Sequence, residues 1–390
     1  MGDGSVLTPD LDFVKSLKSS GADTLKRCYQ CATCSAVCSL TPSDDPFPRR
    51  EMSMAQWGLK DELAKDPNVW LCHNCNECTK YCPRGARPGD VLAVLRKQAI
   101  TENSFPRFLG KIVGEPKLLV ITFLIPIVLF LIILKTTGHL MIPDGDVVYD
   151  KFFPIHYVDP IFLTSASFVF LSFVISISRF WKNLNSNPYK LLAHGNLLKS
   201  ILETLKEFLL HKKFDKCSVN KDRTMAHRLV FFGFVGLFIT TNWAVFHIYV
   251  LGWHSPYRLD DPAILALFNG SKDLVFLLYM AFKGFGNLSA LLLFIGAVMI
   301  FSNKAKDKGF VTKTSCFDGS FNIVVMLLFV TGILSEFLRW ANVPKIAYPM
   351  YFVHLVLVFY TIAFLPYTKL AHMVYRTTAI VYAKMAGKEA

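Results

Sequence analysis

Two runs, CYQCATCSAVC at 28–38 and CHNCNECTKYCP at 72–83, hold eight of the chain's ten cysteines. Cys28, Cys31, Cys34 and Cys38 stand at C-x2-C-x2-C-x3-C; Cys72, Cys75, Cys78 and Cys82 repeat the spacing, and Pro83 follows. This is the spacing of chains that carry two 4Fe–4S cubanes. Three thiolates spaced by two residues wrap three irons of one cubane, and the fourth points away to the other. Cluster one is therefore expected on Cys28, Cys31, Cys34 and Cys82, and cluster two on Cys72, Cys75, Cys78 and Cys38. Ser39 stands where proline is usual after the first run. A zinc site needs four ligands and usually reads as pairs of C-x2-C, so two runs of four favour iron–sulfur chemistry.

Outward from this region the composition changes. The 390-residue chain is 53% hydrophobic and only 18% charged, whereas soluble domains are closer to a quarter charged. Residues 1–100 read as a polar head and 101–117 as a linker. Six apolar stretches follow, at 118–135, 158–180, 226–251, 273–301, 321–339 and 349–371, each near the ~20 residues that cross a bilayer. Residues 1–27 lack an apolar core and include Asp3, Asp10, Asp12 and Asp23, so the N-terminus is expected in the cytoplasm. The loops 181–223, 302–320 and 376–390 then lie inside with nine, four and three Lys or Arg, against two each in 135–159, 252–273 and 339–350. That asymmetry fits six spans with both termini cytoplasmic in an inner membrane. It also accounts for most of the net charge of +13 without nucleic acid.

Between the second and third stretches, Leu191, Leu192, Leu198, Leu202, Leu205 and Leu209 fall near one helical face. They predict an amphipathic helix over about 188–212, either on the inner membrane surface or against the head. The head has no convincing dinucleotide or P-loop motif, so a flavin would sit on another chain.

Histidine inside a bilayer is costly and usually functional. His227 and His247 bracket the third stretch, and His354 and His372 fall 18 residues apart in the sixth. Antiparallel spans would set His227 opposite His372 near the inner face and His247 opposite His354 near the outer face, as bis-histidine haem requires. At about 100° per residue, His354 and His372 share a face while His247 lies about 200° round from His227. Local unwinding near Thr240–Asn242 would correct that. Lys283, between Phe282 and Gly284, is the other expensive residue. It needs a partner such as a haem propionate or a quinone carbonyl; Glu336 and Arg339 are weaker candidates of the same kind.

Taken together, these motifs resemble known families. The cysteine head resembles the iron–sulfur C subunit of heterodisulfide reductase, and the membrane part resembles its haem-b subunit and the gamma subunit of respiratory nitrate reductase. Their fusion resembles the membrane subunits of quinone-modifying (quinone-interacting) oxidoreductase complexes of sulfate reducers. The resemblance implies a mainly α fold: an α-helical ferredoxin-like two-cluster head on a six-helix transmembrane haem b bundle (118–376), with a cytoplasmic tail at 377–390. In the nitrate reductase family two histidines 18 residues apart on the last helix ligate haem, which His354 and His372 match, as His227 matches the first histidine of an earlier helix. The second of that helix corresponds to Leu237, with His247 as the substitute. A family lysine that contacts quinol corresponds to Lys283.

The implied function is a quinone-reactive subunit passing electrons between menaquinol and two flavoprotein subunits of the same complex, with adenylylsulfate reductase as redox partner in sulfate respiration. Its cofactors would be two 4Fe–4S clusters, one or two b haems and menaquinone. A heterodisulfide-reductase-type membrane subunit and a non-catalytic membrane anchor are the alternatives.

Overall fold

The computed structural model describes residues 8–41, 45–115, 117–187, 189, 191–210, 221–252, 262–306 and 316–388. Asp3, Cys217, Asp260 and Asp261 lie outside them. Among the described residues the regular structure is helical. The head holds α1 (Leu11–Ser19), α2 (Thr33–Ala36), α3 (Arg49–Gln56), α4 (Lys60–Lys65), α5 (Asn68–Leu71), α6 (Glu77–Lys80) and α7 (Pro88–Asn103). Local chemistry sets their ends. The Asp10 carboxylate accepts from the Phe13 N–H at 2.8 Å and caps α1, and Pro88 opens α7 at the position where a missing N–H costs nothing.

The rest comprises α8 (Arg107–Gly114), α9 (Leu119–Thr136), α10 (Tyr149–Phe152), α11 (Ile155–Asn185), α12 (Leu197–Leu210), α13 (Lys221–Tyr249), α14 (Pro262–Leu267), α15 (Lys272–Lys306), α16 (Cys316–Trp340), α17 (Pro344–Ala363) and α18 (Ala371–Met385). Among the described residues six helices, α9, α11, α13, α15, α16 and α17, are long and apolar enough to cross a membrane. Large apolar side chains such as Ile132, Phe170, Phe238 and Leu277 point outward from them, where lipid would serve as their solvent.

Helix α13 packs along α15, α15 on α16, and α16 on α17, which also meets α9 and α11. The first contact runs on small residues. A Cβ at Gly233 would fall 2.7 Å from Leu293, and one at Gly296 would fall 2.8 Å from Val230. This close approach of backbones replaces the hydrophobic drive that lipid removes.

Four expectations change. The sixth span ends at Ala363 rather than 371: a short 3-10 turn at Leu365–Tyr367 carries Pro366, and α18 starts afresh at Ala371. Proline disfavours helix in the residue before it and lacks the N–H that would continue the ladder. The expected linker 101–117 carries the end of α7 and all of α8, and the expected tail 377–390 is largely the second half of α18. The amphipathic helix starts at Leu197 rather than near 188, and its faces are assigned. Ser200 and Thr204 are buried and α12 packs on α18, while Leu198, Leu202, Leu205 and Leu209 are exposed. Finally, α13 runs unbroken through Thr240–Asn242, so His227 and His247 stay on different faces.

Head and membrane helices share one core. The cluster that contains Leu17, Met52 and Trp70 also contains Phe180 and Leu184 of α11 and Tyr375 and Tyr382 of α18. Polar contacts fix the junction. Asn183 donates to the Asn103 side-chain oxygen at 2.8 Å, Arg179 to the Ser104 carbonyl at 3.2 Å, and the Phe105 N–H to Ser176 at 3.0 Å.

Candidate electron-transfer centre

The two cysteine runs fold alike. Gln30 and Ala32 in the first hold φ of 60° and 67°, and Asn74 and Asn76 in the second hold 54° and 64°. Left-handed backbone is uncommon away from glycine, least so for asparagine, and such strain clusters at ligand sites. Each loop then enters a short helix, α2 with Cys34 and α6 with Cys78, leaving Cys38 and Cys82 just beyond the helix ends.

The result is two cavities of crossed composition. Cys28, Cys31, Cys34 and Cys82 line one, and Cys38, Cys72, Cys75 and Cys78 line the other. Among the described residues, no three Cys, His, Asp or Glu side chains converge as a single metal ion requires. The four sulfurs of each set instead line one shared space, the grouping that a cubane with four cysteine ligands requires. Backbone N–H groups point at the sulfurs: Asn74 at Cys72 and Ala86 at Cys82, both 3.3 Å. Such bonds tune the potential of a bound cluster. Burial pushes the Cys34 and Cys38 thiols up to about 11 and raises Cys28 and Cys78. These thiols would bind iron with release of their protons. Hydrogen bonds from Thr33 lower Cys31, which is exposed.

The two cavities face different neighbours. The first lies under exposed Tyr29, whose ring carries the Arg84 guanidinium at 4.1 Å, and Arg49 lines it. The second begins at Cys72, immediately after α5, and α5 packs on α18. There Trp70 stacks on Tyr375 at 5.4 Å and meets Phe180 edge-on at 5.6 Å. Trp70→Ala is expected to cost about 3–5 kcal/mol and to loosen the head from α11 and α18, read as a lower unfolding temperature and faster proteolysis near residue 104. No local pattern marks this joint, because its three rings come from segments more than a hundred residues apart.

The histidines are placed as follows. His372 opens α18 beside the head, with Lys369, Arg376 and Arg96 around it. Its Nδ1 meets the Lys369 carbonyl, and burial lowers its pKa to about 4, leaving the imidazole neutral. His354, on α17, meets the Thr331 hydroxyl through Nδ1 at 3.0 Å. Its ring lies over Gly332, where a Cβ would fall 3.0 Å from Cε1. In both residues Nδ1 is held by an oxygen, the arrangement that orients a metal-ligating imidazole and leaves Nε2 for the metal. His247 differs: its Nε2 accepts the Trp243 indole N–H at 2.7 Å, and its ring meets Phe282 of α15. That hydrogen bond occupies the lone pair a haem iron would take. His227 is half-buried near the N-terminal end of α13. Nδ1 is thus the bonded ring nitrogen in His354 and His372, and Nε2 in His247, and His354 and His372 do not share a helix.

Lys283 has a protein partner. Its ammonium lies 2.7 Å from Glu336, whose other oxygen accepts from Asn287 at 3.1 Å. The Tyr279 and Trp340 rings flank it at 5.8 and 5.6 Å.

Comparison with known proteins agrees with the head. Residues 24–86 match the 4Fe-4S dicluster domain family. The chain is 38% identical over 93 residues to the C subunit of the H(2):CoB-CoM heterodisulfide,ferredoxin reductase of Methanothermobacter marburgensis, covering 23% of this chain and 49% of that one. It is 37% identical over 82 residues to an Archaeoglobus profundus protein that is itself like the C subunit of heterodisulfide reductase, covering 21% and 44%. Against the C subunit of the ferredoxin:CoB-CoM heterodisulfide reductase of Methanosarcina acetivorans the identity is 32% over 89 residues, covering 23% and 36%. The chain thus spans about half the length, or less, of these curated relatives. No solved structure matches it. Its N-terminal region is a 4Fe–4S dicluster domain of the kind found in redox-complex subunits, joined to six candidate membrane helices.

Proposed function

We propose that this chain is the membrane electron-transfer subunit of a multi-subunit oxidoreductase, resembling the membrane subunits of quinone-modifying oxidoreductase complexes. Electrons pass between menaquinol and soluble flavoprotein partners through haem b and two 4Fe–4S clusters. Cys28, Cys31, Cys34 and Cys82 hold cluster one; Cys72, Cys75, Cys78 and Cys38 hold cluster two. The observation that carries the reading is the joint at Trp70 and Tyr375. It packs α5, which leads into Cys72 of the second cavity, on the helix that carries His372, while exposed Tyr29 and Arg84 line the first cavity. Cluster two then faces the membrane, and cluster one faces a docking partner such as the two flavoproteins, with adenylylsulfate reductase as terminal redox partner in sulfate respiration.

In the membrane, His372, with His227 as candidate partner, serves an inner haem, and His354 serves an outer one. Haem supplies one-electron carriage between quinone and cluster two. The residues here orient imidazoles through the Lys369 carbonyl and the Thr331 hydroxyl. Lys283 lies on the quinone side, where a quinone carbonyl must share an ammonium already bound to Glu336. The loop charges favour a cytoplasmic side for the head and both termini. A second reading, a heterodisulfide-reductase-type membrane subunit, has the relatives' names in its favour.

Haem per polypeptide, measured by pyridine haemochrome, tests the membrane half. His372→Ala and His354→Ala should each remove haem, and His247→Ala should leave it unchanged. No haem in the purified wild type would overturn the haem reading. Reduction of bound haem by a quinol analogue separates a redox subunit from a non-catalytic anchor.

A further inference from the structure

Three carboxylates converge in the head beside the second cysteine cavity. Glu51 of α3 and Asp66, just before α5, are both 0% exposed, and Asp45 is 7% exposed. The Tyr189 hydroxyl, from the segment after α11, lies 3.0 Å from Glu51 Oε1 and 3.0 Å from Asp66 Oδ2. A phenol has one proton to donate. It can satisfy one of those oxygens, and the other must bring a proton of its own to the phenolic oxygen. Glu51 Oε2 and Asp45 Oδ1 are buried and accept no hydrogen bond.

The surrounding charges agree with one held proton. Lys388 reaches Asp45 at 3.4 Å and the Asn68 side-chain oxygen at 2.7 Å, and Arg50 lies 3.9 Å from Asp45 and over the Tyr189 ring at 4.3 Å. Two cations face three carboxylates, so one proton makes the group neutral. Burial raises both Glu51 and Asp66 above the usual carboxylate range; the charges of Asp66 and Asp45 add to the rise at Glu51, and Asp45 adds to it at Asp66, where hydrogen bonds from Asn68, Tyr189 and Glu51 oppose it.

One residue couples this group to the cluster site. The Asn68 amide donates to Asp45 Oδ2 at 2.8 Å and to Glu51 Oε1 at 3.4 Å, and the Asn68 carbonyl accepts the Cys72 N–H at 3.3 Å. One helical turn, about 6 Å of rise, separates the acids' partner from a cysteine of the second cavity.

We propose that Glu51, Asp66 and Tyr189 form a redox-linked proton site, which takes one proton from solvent when cluster two gains one electron and returns it when that electron leaves. The inference rests on the cluster assignment above. The electron comes from the quinol or the flavoprotein, and proton uptake cancels the added charge. A unit charge placed about 10 Å from a proton site strengthens proton binding roughly tenfold at an effective dielectric of about 20. The sign follows. Where the site is protonated in both redox states, or in neither, the potential of cluster two does not change with pH. Between those limits reduction carries a proton, so the potential falls as pH rises.

The test is a redox titration of the full chain in detergent from pH 5.5 to 9, following by electron paramagnetic resonance the cluster lost in Cys38→Ala. Wild type should show a window of falling potential whose total fall is about 59 mV, the tenfold change in proton binding written as a one-electron potential. Glu51→Gln and Asp66→Asn should flatten it. Asp12→Asn, at an exposed ion pair with Lys15, should keep it. A redox-difference infrared spectrum of wild type, which needs no variant to fold, should show a protonated carboxyl band that changes on reduction. Two clusters with a pH-independent potential would overturn this inference alone. A chain that binds no iron would overturn the cluster assignment, and this inference with it.

Discussion

Replacing Cys82 by alanine should empty the cluster bound by Cys28, Cys31 and Cys34, and spare the one bound by the run to which Cys82 belongs. Cys38→Ala should do the reverse. Each should roughly halve iron and acid-labile sulfide, and the two residual clusters should give different resonance spectra. The basis is the crossing of the cavities: Cys82 lines the space of the first run and Cys38 that of the second. The chain crosses because α2 and α6 pack on each other, so each fourth cysteine leaves its helix beside its neighbour's loop. Loss of the same cluster in Cys82→Ala and Cys72→Ala would overturn the crossed assignment.

The second large effect is expected at Lys283. This ammonium sits eleven residues into α15, about 17 Å along the helix, and its partner Glu336 lies four residues before the end of α16. Lys283→Met leaves the part-buried Glu336 carboxylate without its ammonium, with Asn287 still donating to it. Breaking one half of a fully buried pair costs about 3–5 kcal/mol, an upper bound for this part-buried one, whereas replacing both halves is often close to neutral. Lys283→Met should therefore lower the unfolding temperature in detergent sharply, and Lys283→Met with Glu336→Gln should restore most of it. A double-mutant cycle gives the coupling directly. A cost below about 1 kcal/mol for the single change would mean that headgroups and water screen the pair.

The parts of this molecule that depend on short-range pattern were legible in the sequence. The cysteine spacing marked both loops, and the six apolar stretches fall on six helices, of which α9, α13 and α16 end within two residues of where hydropathy placed them. The sixth does not. Hydropathy continues past Ala363 because Phe364, Leu365 and Leu370 are apolar, but Pro366 ends the helix. That single proline separates His354 from His372 and removes the shared face that 18 residues of helix would give. The unbroken α13 had the opposite consequence: without a kink, His247 turns toward Trp243 and Phe282. Long-range partners were less visible. Glu336 was named near Lys283 only as another expensive charge. Tyr189 lies 138 residues from the Glu51 it bridges, and neither residue type nor spacing marks that meeting. No local pattern marks Asp66 and Glu51, whose partner Tyr189 follows the second span.

The shared core at Trp70 also orders events in time. A ribosome delivers the cysteine head first, yet Tyr375 and Tyr382, which complete that head's interior, emerge only after all six spans. Until then the wall next to the second cysteine cavity is missing and Trp70 lacks its stacking partner. A head released early is an incomplete intermediate with apolar surface exposed, the kind of species that aggregates. Its maturation is thereby tied to insertion of the whole chain, and a truncation before α18 should damage the domain farthest from it in sequence.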